Sequence, residues 1–222
     1  DSDNVTDSNT DVTVGVDIDD EDNDGNAGSL AKQYVYGNLE SDNKSLTGSM
    51  PTYDVILQLS ELGYGIGFSG NVSYTYVAVD EAGNQNTTTY DITVDNVDPS
   101  ASDVTFNGST SLWVTDSDTV EFRAQGSDEH SDIATHTISG GTEKSLTLED
   151  AATDTWLRTD TASDLGCNSS GDCGITASFT DEADLTTTTS RTLNVDSDPP
   201  TIDNTKLSDD YITNNTAITI TA

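Results

Sequence analysis

Basic side chains are scarce in this sequence. Seven lysines and arginines stand against 41 acidic residues, a formal net charge of −34 over 222 residues. Nucleic acid is thereby excluded as a partner, because phosphate binding needs clustered Lys and Arg. An anionic membrane surface is disfavoured for the same reason. No apolar run approaches the ~18 residues of a membrane-spanning helix, so no direct membrane insertion is expected in this segment. The chain opens at Asp1 inside a polar stretch with no signal peptide, as a mature or cropped segment would. Only two histidines occur, His130 and His136, and they lack H-E-x-x-H spacing. Asp128, Glu129 and Asp132 lie near them, so a metal is conceivable there. A core or interface place is favoured for His136, in phase with Ala134 and Ile138. No nucleophile–histidine catalytic motif is recognised, and paired carboxylates cannot be assigned when every loop carries them. Gly65 to Gly70 satisfies G-x-G-x-x-G, but it precedes a strand pattern rather than a helix. An enzyme is not expected.

Apolar residues are also few, at 32%, which alone leans towards disorder. The pattern argues otherwise. Val12-Val14-Val16, Tyr74-Tyr76-Ala78 and Leu146-Leu148 alternate, which places apolar side chains on one face of a strand. Cysteine is limited to Cys167 and Cys173, in C-N-S-S-G-D-C. That spacing suits neither zinc nor a redox pair. A local disulfide and an oxidising compartment fit best, with two reduced thiols as the alternative.

What the chain does have is a repeat. Val79 to Asp95 reads V-D-E-A-G-N-Q-N-T-T-T-Y-D-I-T-V-D, and Thr180 to Asp196 reads T-D-E-A-D-L-T-T-T-T-S-R-T-L-N-V-D. The two align without a gap at an offset of 101, and each runs into Asp-Pro, at Asp98-Pro99 and Asp198-Pro199. The second copy has Asp184-Leu185 in place of Gly83-Asn84, which weakens the case for the same turn there. Lys44 to Thr47 recurs as Lys144 to Thr147 and is read as one strand in both copies. Ser60-Glu61-Leu62-Gly63 matches Ser163-Asp164-Leu165-Gly166 as a corner.

Short strands are expected at 11–16, 30–36, 53–59, 72–79 and 88–94. Their second set falls at 113–114, 120–124, 133–138, 146–148, 156–159, 173–179 and 188–195. About seven short strands with turns every 8–12 residues is the pattern of an immunoglobulin-like sandwich. The expected fold class is all-β, tandem immunoglobulin-like β-sandwiches. The boundaries are 1–95 for module 1 (first strand missing), 96–196 for module 2, and 197–222 for the start of a third module or an exchanged strand segment. Tyr211-Ile212-Thr213 and Ile218-Thr219-Ile220 align with the first two strands of module 2. Either the chain is a window on a longer array, or its last strands complete the next subunit's first module by strand addition.

The run of alternating strand, D-E-A-G-N, second strand, V-D and Asp-Pro resembles the tandem immunoglobulin-like repeats of prokaryotic cell-surface proteins, the large adhesins and archaeal surface-layer glycoproteins. The antibody-type Cys-Trp-Cys core is absent. The resemblance implies an extracellular stalk, lattice or adhesive fibre that self-associates, and the acidity points to the haloarchaeal members. Strong brine would screen the self-repulsion, since the Debye length falls to ~3 Å at molar salt. A calcium-binding surface protein of lower salt is the alternative. The spread of acidic residues over all modules favours brine. A carbohydrate-binding module is a further reading, which exposed aromatics would favour.

Calcium is the expected ion, because it takes six to eight oxygen ligands. Asp20-Glu21-Asp22-Asn23-Asp24-Gly25 has the D-x-D-x-D-G opening of a calcium loop, with Ala31 where an EF-hand needs Glu. Asp20, Asp22 and Asp24 are its candidate ligands. A second site is expected where modules meet. It would gather Asp128, Glu129 and Asp132 with Asp181, Glu182 and Asp184, facing the linker residues Asp95 and Asp98 and the corner residue Glu61. The resemblance to adhesin and cadherin-like repeats supports calcium at such a joint. The same logic assembles Asp196, Asp198, Asp164, Asp116 and Asp118 at the next joint, and sodium or potassium screening is the alternative at both. Seven N-x-S/T sequons occur. Asn86, Asn107 and Asn168 are read as loop or turn positions suited to glycans, followed by Asn4 and Asn43. Asn71 opens a strand and suits one less.

Overall fold

The computed structural model describes residues 5–6, 11–17, 30–38, 43–49, 52–58, 61, 63–64, 68–201, 206–207 and 220–221. The first strands are β1 (Val5–Thr6), β2 (Asp11–Asp17), β3 (Leu30–Tyr36), β4 (Lys44–Ser45), β5 (Thr47–Ser49), β6 (Thr52–Gln58), β7 (Gly70–Asp80) and β8 (Gln85–Val94). They form a three-stranded sheet ordered β2-β6-β5 and a five-stranded sheet ordered β1-β8-β7-β3-β4.

The next are β9 (Ser100–Ala101), β10 (Thr105–Phe106), β11 (Trp113–Val114), β12 (Thr119–Ser127), β13 (Ile133–Ser139), β14 (Glu143–Ser145), β15 (Thr147–Asp150), β16 (Thr155–Thr161), β17 (Gly171–Asp181) and β18 (Thr186–Val195). One sheet runs β10-β12-β16-β15, with β9 also paired to β12, and the other runs β11-β18-β17-β13-β14. The two sets superpose in order. β1 lies parallel to β8 as β11 lies parallel to β18, with Val5 opposite Thr93 and Trp113 opposite Asn194. This is the immunoglobulin-like arrangement of two antiparallel sheets with one short parallel strand. Beyond them β19 (Lys206–Leu207) pairs with β20 (Ile220–Thr221), Leu207 facing Ile220 as Phe106 faces Phe122.

Alternation builds the second core. Along β12, Val120, Phe122 and Ala124 point inward, and along β17 Ile175, Ala177 and Phe179 do the same. Successive side chains of a strand face opposite sides, so few apolar residues suffice to fill one face. Both sheets contribute to one cluster with Phe106, Ile138, Leu146, Leu165 and Leu193. In the first set Val35, Leu46, Val72, Tyr76, Ile92 and Val94 form a separate cluster.

The K-S-L-T repeat is not one strand. Lys44-Ser45 and Thr47 belong to different sheets, as do Lys144-Ser145 and Thr147. The leucine between them is the crossover. Leu46 donates its N–H to Gln33 O and Leu146 to His136 O, and both side chains drop into a core. Leu148 is accordingly exposed rather than in phase with Leu146. The corner at Ser163–Leu165 is a 3₁₀ turn closed by Gly166 at φ 98°. A Cβ on Gly166 would lie 2.8 Å from Thr142 N, so the left-handed backbone and the close approach both require glycine there.

Ala134 is exposed, because the pairing of β13 with β17 shifts register between Ile133 and Thr135. His136 is half-buried and lies over Trp156 at 3.8 Å between ring centroids. Burial holds its pKa below the usual 6.5. The unfolded chain therefore takes up a proton first as pH falls. The stability contribution is present above about pH 6.5 and is lost below it, towards the lower folded pKa. Thermal unfolding between pH 7.5 and 5.5 is expected to show this slope, and His136→Gln to flatten it. An equal slope in the variant counts against the assignment.

Cys167 and Cys173 are joined, their Cα atoms 5.8 Å apart, closing the loop that feeds β17. Opening so short a loop by Cys167→Ser with Cys173→Ser is expected to cost about 2 kcal/mol on the loop-entropy relation. Denaturant unfolding of oxidised and variant protein measures it.

Candidate metal centre

β8 ends at Val94, and the next residue, Asp95, is fully buried. Its Oδ1 accepts the Val97 N–H at 2.9 Å. Asn96 anchors the same turn, its N–H donating to Ser69 Oγ and its Nδ2 to Phe68 O. The other Asp95 oxygen accepts the Ser131 hydroxyl at 2.6 Å, across 36 residues of sequence.

Ser131 belongs to the loop between β12 and β13. Asp128 shapes that loop, its Oδ1 accepting the N–H groups of His130 at 2.7 Å and Ser131 at 3.0 Å. Such local bonding is what short carboxylate side chains do in turns. It uses one oxygen. Asp128 Oδ2 is buried with no hydrogen-bond partner, and so is His130 Nδ1. One ligand atom from each of Asp95, Asp128 and His130 lies within 4.8 Å of the others.

The turn between β17 and β18 supplies a third carboxylate. Asp181 is fully buried. Its Oδ1 accepts the N–H groups of Ala183 at 2.8 Å and Leu185 at 2.9 Å, and its Oδ2 is buried and unpartnered. Glu182 N–H donates to Asp132 O at 3.1 Å, clasping this turn to the β12–β13 loop. Burial raises the Asp181 pKa, and the charges of Asp95 and Asp128 raise it further. Three carboxylates thus converge. The ion pairs of Lys44, Arg123, Arg158 and Arg191 all lie with other acids. Buried unpaired charge is costly unless a cation or proton answers it. The ligand atoms of Asp95, Asp128 and His130 are close enough together for one ion to span them, and Asp181 stands beside that group.

The repeat explains the free oxygen. In the first copy Asp80 N–H donates to Asn84 O and Gly83 N–H to Asp80 O, with Gly83 at φ 87°. In the second, Asp181 N–H donates to Leu185 O and Asp184 N–H to Asp181 O, with Asp184 at φ 64°. Loss of Gly-Asn therefore did not lose the turn, since aspartate tolerates the left-handed region better than most residues. The chemistry changed instead. Asp80 is only partly buried and both its oxygens are taken by Asn84, from N at 2.7 Å and Nδ2 at 2.6 Å. Leu185 donates its backbone N–H but has no side-chain amide, and Asp181 Oδ2 is left unanswered.

Other expected ligands are not gathered here. Glu61 pairs with Lys44 at 3.3 Å. Asp98, Glu129, Asp132, Glu182 and Asp184 are exposed. At the next joint Asp196 and Asp198 are exposed. Asp196 Oδ1 accepts Asp198 N–H, the same turn that Asp95 makes with Val97. Asp118 Oδ2 accepts Thr115 N–H, Asp164 Oδ2 accepts the Thr161 hydroxyl, and Asp116 N–H donates to Ser197 Oγ. Among the described residues these form no second ligand group. Asp118 and Asp196 instead line an open cleft of about 430 Å³ with Trp113, which is 69% exposed rather than in a core. Asp20, Asp22, Asp24 and Asn4 lie outside the described residues.

Asn43, Asn107 and Asn168 are exposed, Asn107 in a turn at φ 51°. Asn86 is exposed too, but on β8 rather than in the preceding turn. His130 and Ser131 complete the centre and carry no motif; the neighbouring Asp128, Glu129 and Asp132 were the hint.

No protein-family model matches the chain, and no curated relative does. Among solved structures it is similar to the fibronectin(III)-like modules of Clostridium thermocellum CbhA, at 15% identity and TM-score 0.41, over 86% of this chain and 88% of that one. It is also similar to a 1.5-MDa bacterial ice-binding adhesin, at 18% identity and TM-score 0.42, over 87% of this chain and 62% of that one. A tetra-tandem repeat from the extending region of a large adhesion protein follows, at 15% identity and TM-score 0.33, over 84% and 57%. Likenesses this loose carry no reading of function.

Proposed function

We propose that the chain is a rod-like segment of an extracellular structural protein, part of a surface layer or filament of a halophilic prokaryote. Its modules span 1–95 and 96–196, a third starts at 197–222, and bound cations stiffen the joints. The role is mechanical and non-catalytic, and the expected partner is another copy of the chain. One observation carries this reading: Asp95, at the end of the first sandwich's last strand, is buried against Ser131 of the second, beside Asp128, Asp181 and His130. A cation there ties the exit of one sandwich to two loops of the next. Without it the buried like charges repel, and salt screens that repulsion far less than it screens the surface acids.

Small-angle scattering tests this. Chelation at low salt is expected to broaden the distance distribution as the joint loosens, and a divalent cation to restore it. An unchanged profile after chelation counts against the cation-stiffened joint. A carbohydrate-binding role is the second reading, favoured by exposed Trp113 beside Asp118 and Asp196. An aromatic face with flanking carboxylates suits a sugar ring, and glycan-array binding lost in Trp113→Ala would select it. An adhesin stalk with its binding tip elsewhere is the remaining alternative; extended monomeric particles would select it over self-assembly.

A further inference from the structure

We infer that the ion at this joint is a divalent transition ion that accepts an imidazole nitrogen, of the Zn²⁺ type, and not Ca²⁺. The inference rests on the proposal that the joint binds a cation, and it concerns which one. The donor count decides it. Asp128 Oδ1 and Asp181 Oδ1 each already accept two backbone N–H groups. Each of these carboxylates therefore has only its Oδ2 to offer, and both of those oxygens are buried without partners. Asp95 lends a carboxylate whose two oxygens already hold the Val97 N–H and the Ser131 hydroxyl. His130 adds a nitrogen within the same 4.8 Å group, and its Nδ1 is another buried atom with no partner. Within that group the protein offers three donors, two oxygens and one nitrogen, and Asp181 Oδ2 stands beside it as a nearby carboxylate. Calcium asks for six to eight oxygens, commonly with a bidentate carboxylate. Zinc asks for four ligands drawn from imidazole and carboxylate, and imidazole favours the transition ions over Ca²⁺.

The test is titration of the metal-free chain with Zn²⁺ and with Ca²⁺ by calorimetry, in high NaCl so that surface carboxylates are screened. Zn²⁺ is expected to bind at least about tenfold more tightly than Ca²⁺. His130→Ala is expected to weaken Zn²⁺ by about tenfold or more while leaving Ca²⁺ unchanged, and Asp181→Asn to weaken both. X-ray absorption of the Zn²⁺-loaded natural chain needs no variant, and is expected to show imidazole nitrogen in the first shell. Ca²⁺ binding as tightly as Zn²⁺, an all-oxygen shell, or an unaffected His130→Ala overturns this inference and leaves the cation-bound joint standing. No Asp181-dependent binding of either ion overturns both.

Discussion

Phe179→Ala is expected to lower the unfolding free energy of the second sandwich by about 3–5 kcal/mol, the usual cost of emptying a buried aromatic site. Phe179 is fully buried on β17, which pairs with both β13 and β18. Its ring lies under Trp156, centroids 6.4 Å apart, and against Gly126 of the facing sheet. The cavity would not collapse easily. Gly126 has no side chain to fill it, and Trp156 is tethered by its indole N–H to Gly126 O at 3.1 Å. Urea unfolding followed by tryptophan fluorescence measures the loss. A loss under about 1 kcal/mol, the average for point substitutions in general, would show that the site repacks and that the ring is not a keystone of this core.

Gly126→Ala is the complementary experiment, and about 1–3 kcal/mol is expected from overpacking. A Cβ built on Gly126 falls 2.3 Å from Phe179 Cδ1 and 2.5 Å from two further ring atoms. Trp156 packs against the ring, with His136 packed on Trp156 in turn, so the ring cannot withdraw without disturbing them. Glycine is required here by proximity, not by backbone conformation. The two substitutions touch, so their effects should not add. In the Phe179→Ala background the added methyl enters the space the ring left, and the penalty should shrink or reverse. A coupling energy near zero in the double-mutant cycle would mean that the clash is relieved elsewhere.

Only the first joint carries the β12–β13-type loop of its following sandwich among the described residues. Asp95 and Asp196 make the same Asx turn one residue past the end of their strands, yet the first is buried and the second exposed. Pro99 is likewise buried and Pro199 exposed. The difference is the presence over Asp95 of the β12–β13 loop. At the first joint the sequence pattern gathers more carboxylates than the structure draws in. Exposed acids such as Asp98, Glu129 and Asp132 keep their water, and only Asp95, Asp128 and Asp181 are drawn in.

The strands, their order and the repeat were legible because alternation and turn residues are local signals. β3 falls at 30–36 as the pattern requires, and β16 to β18 start within two residues of their expected places. The short β1, expected to be missing from the first module, and β9 and β10 were not, since two residues carry no period. Leu46 and Leu146 were read as strand residues because a crossover and a strand both present one inward leucine.

The amino-acid sequence by itself determined the all-β class, the duplication, the acidic surface and the disulfide partner of each cysteine, because each depends on composition or on neighbours within a few residues. Tertiary structure alone decided which carboxylates lose their water. That depends on three segments meeting, Asp95 from one sandwich with Asp128 and Asp181 from two loops of the next, and on Leu185 standing where Asn84 stands in the first copy. A histidine without a motif became a candidate ligand for the same reason: the repulsion it borders is set by burial, which no spacing along the chain encodes.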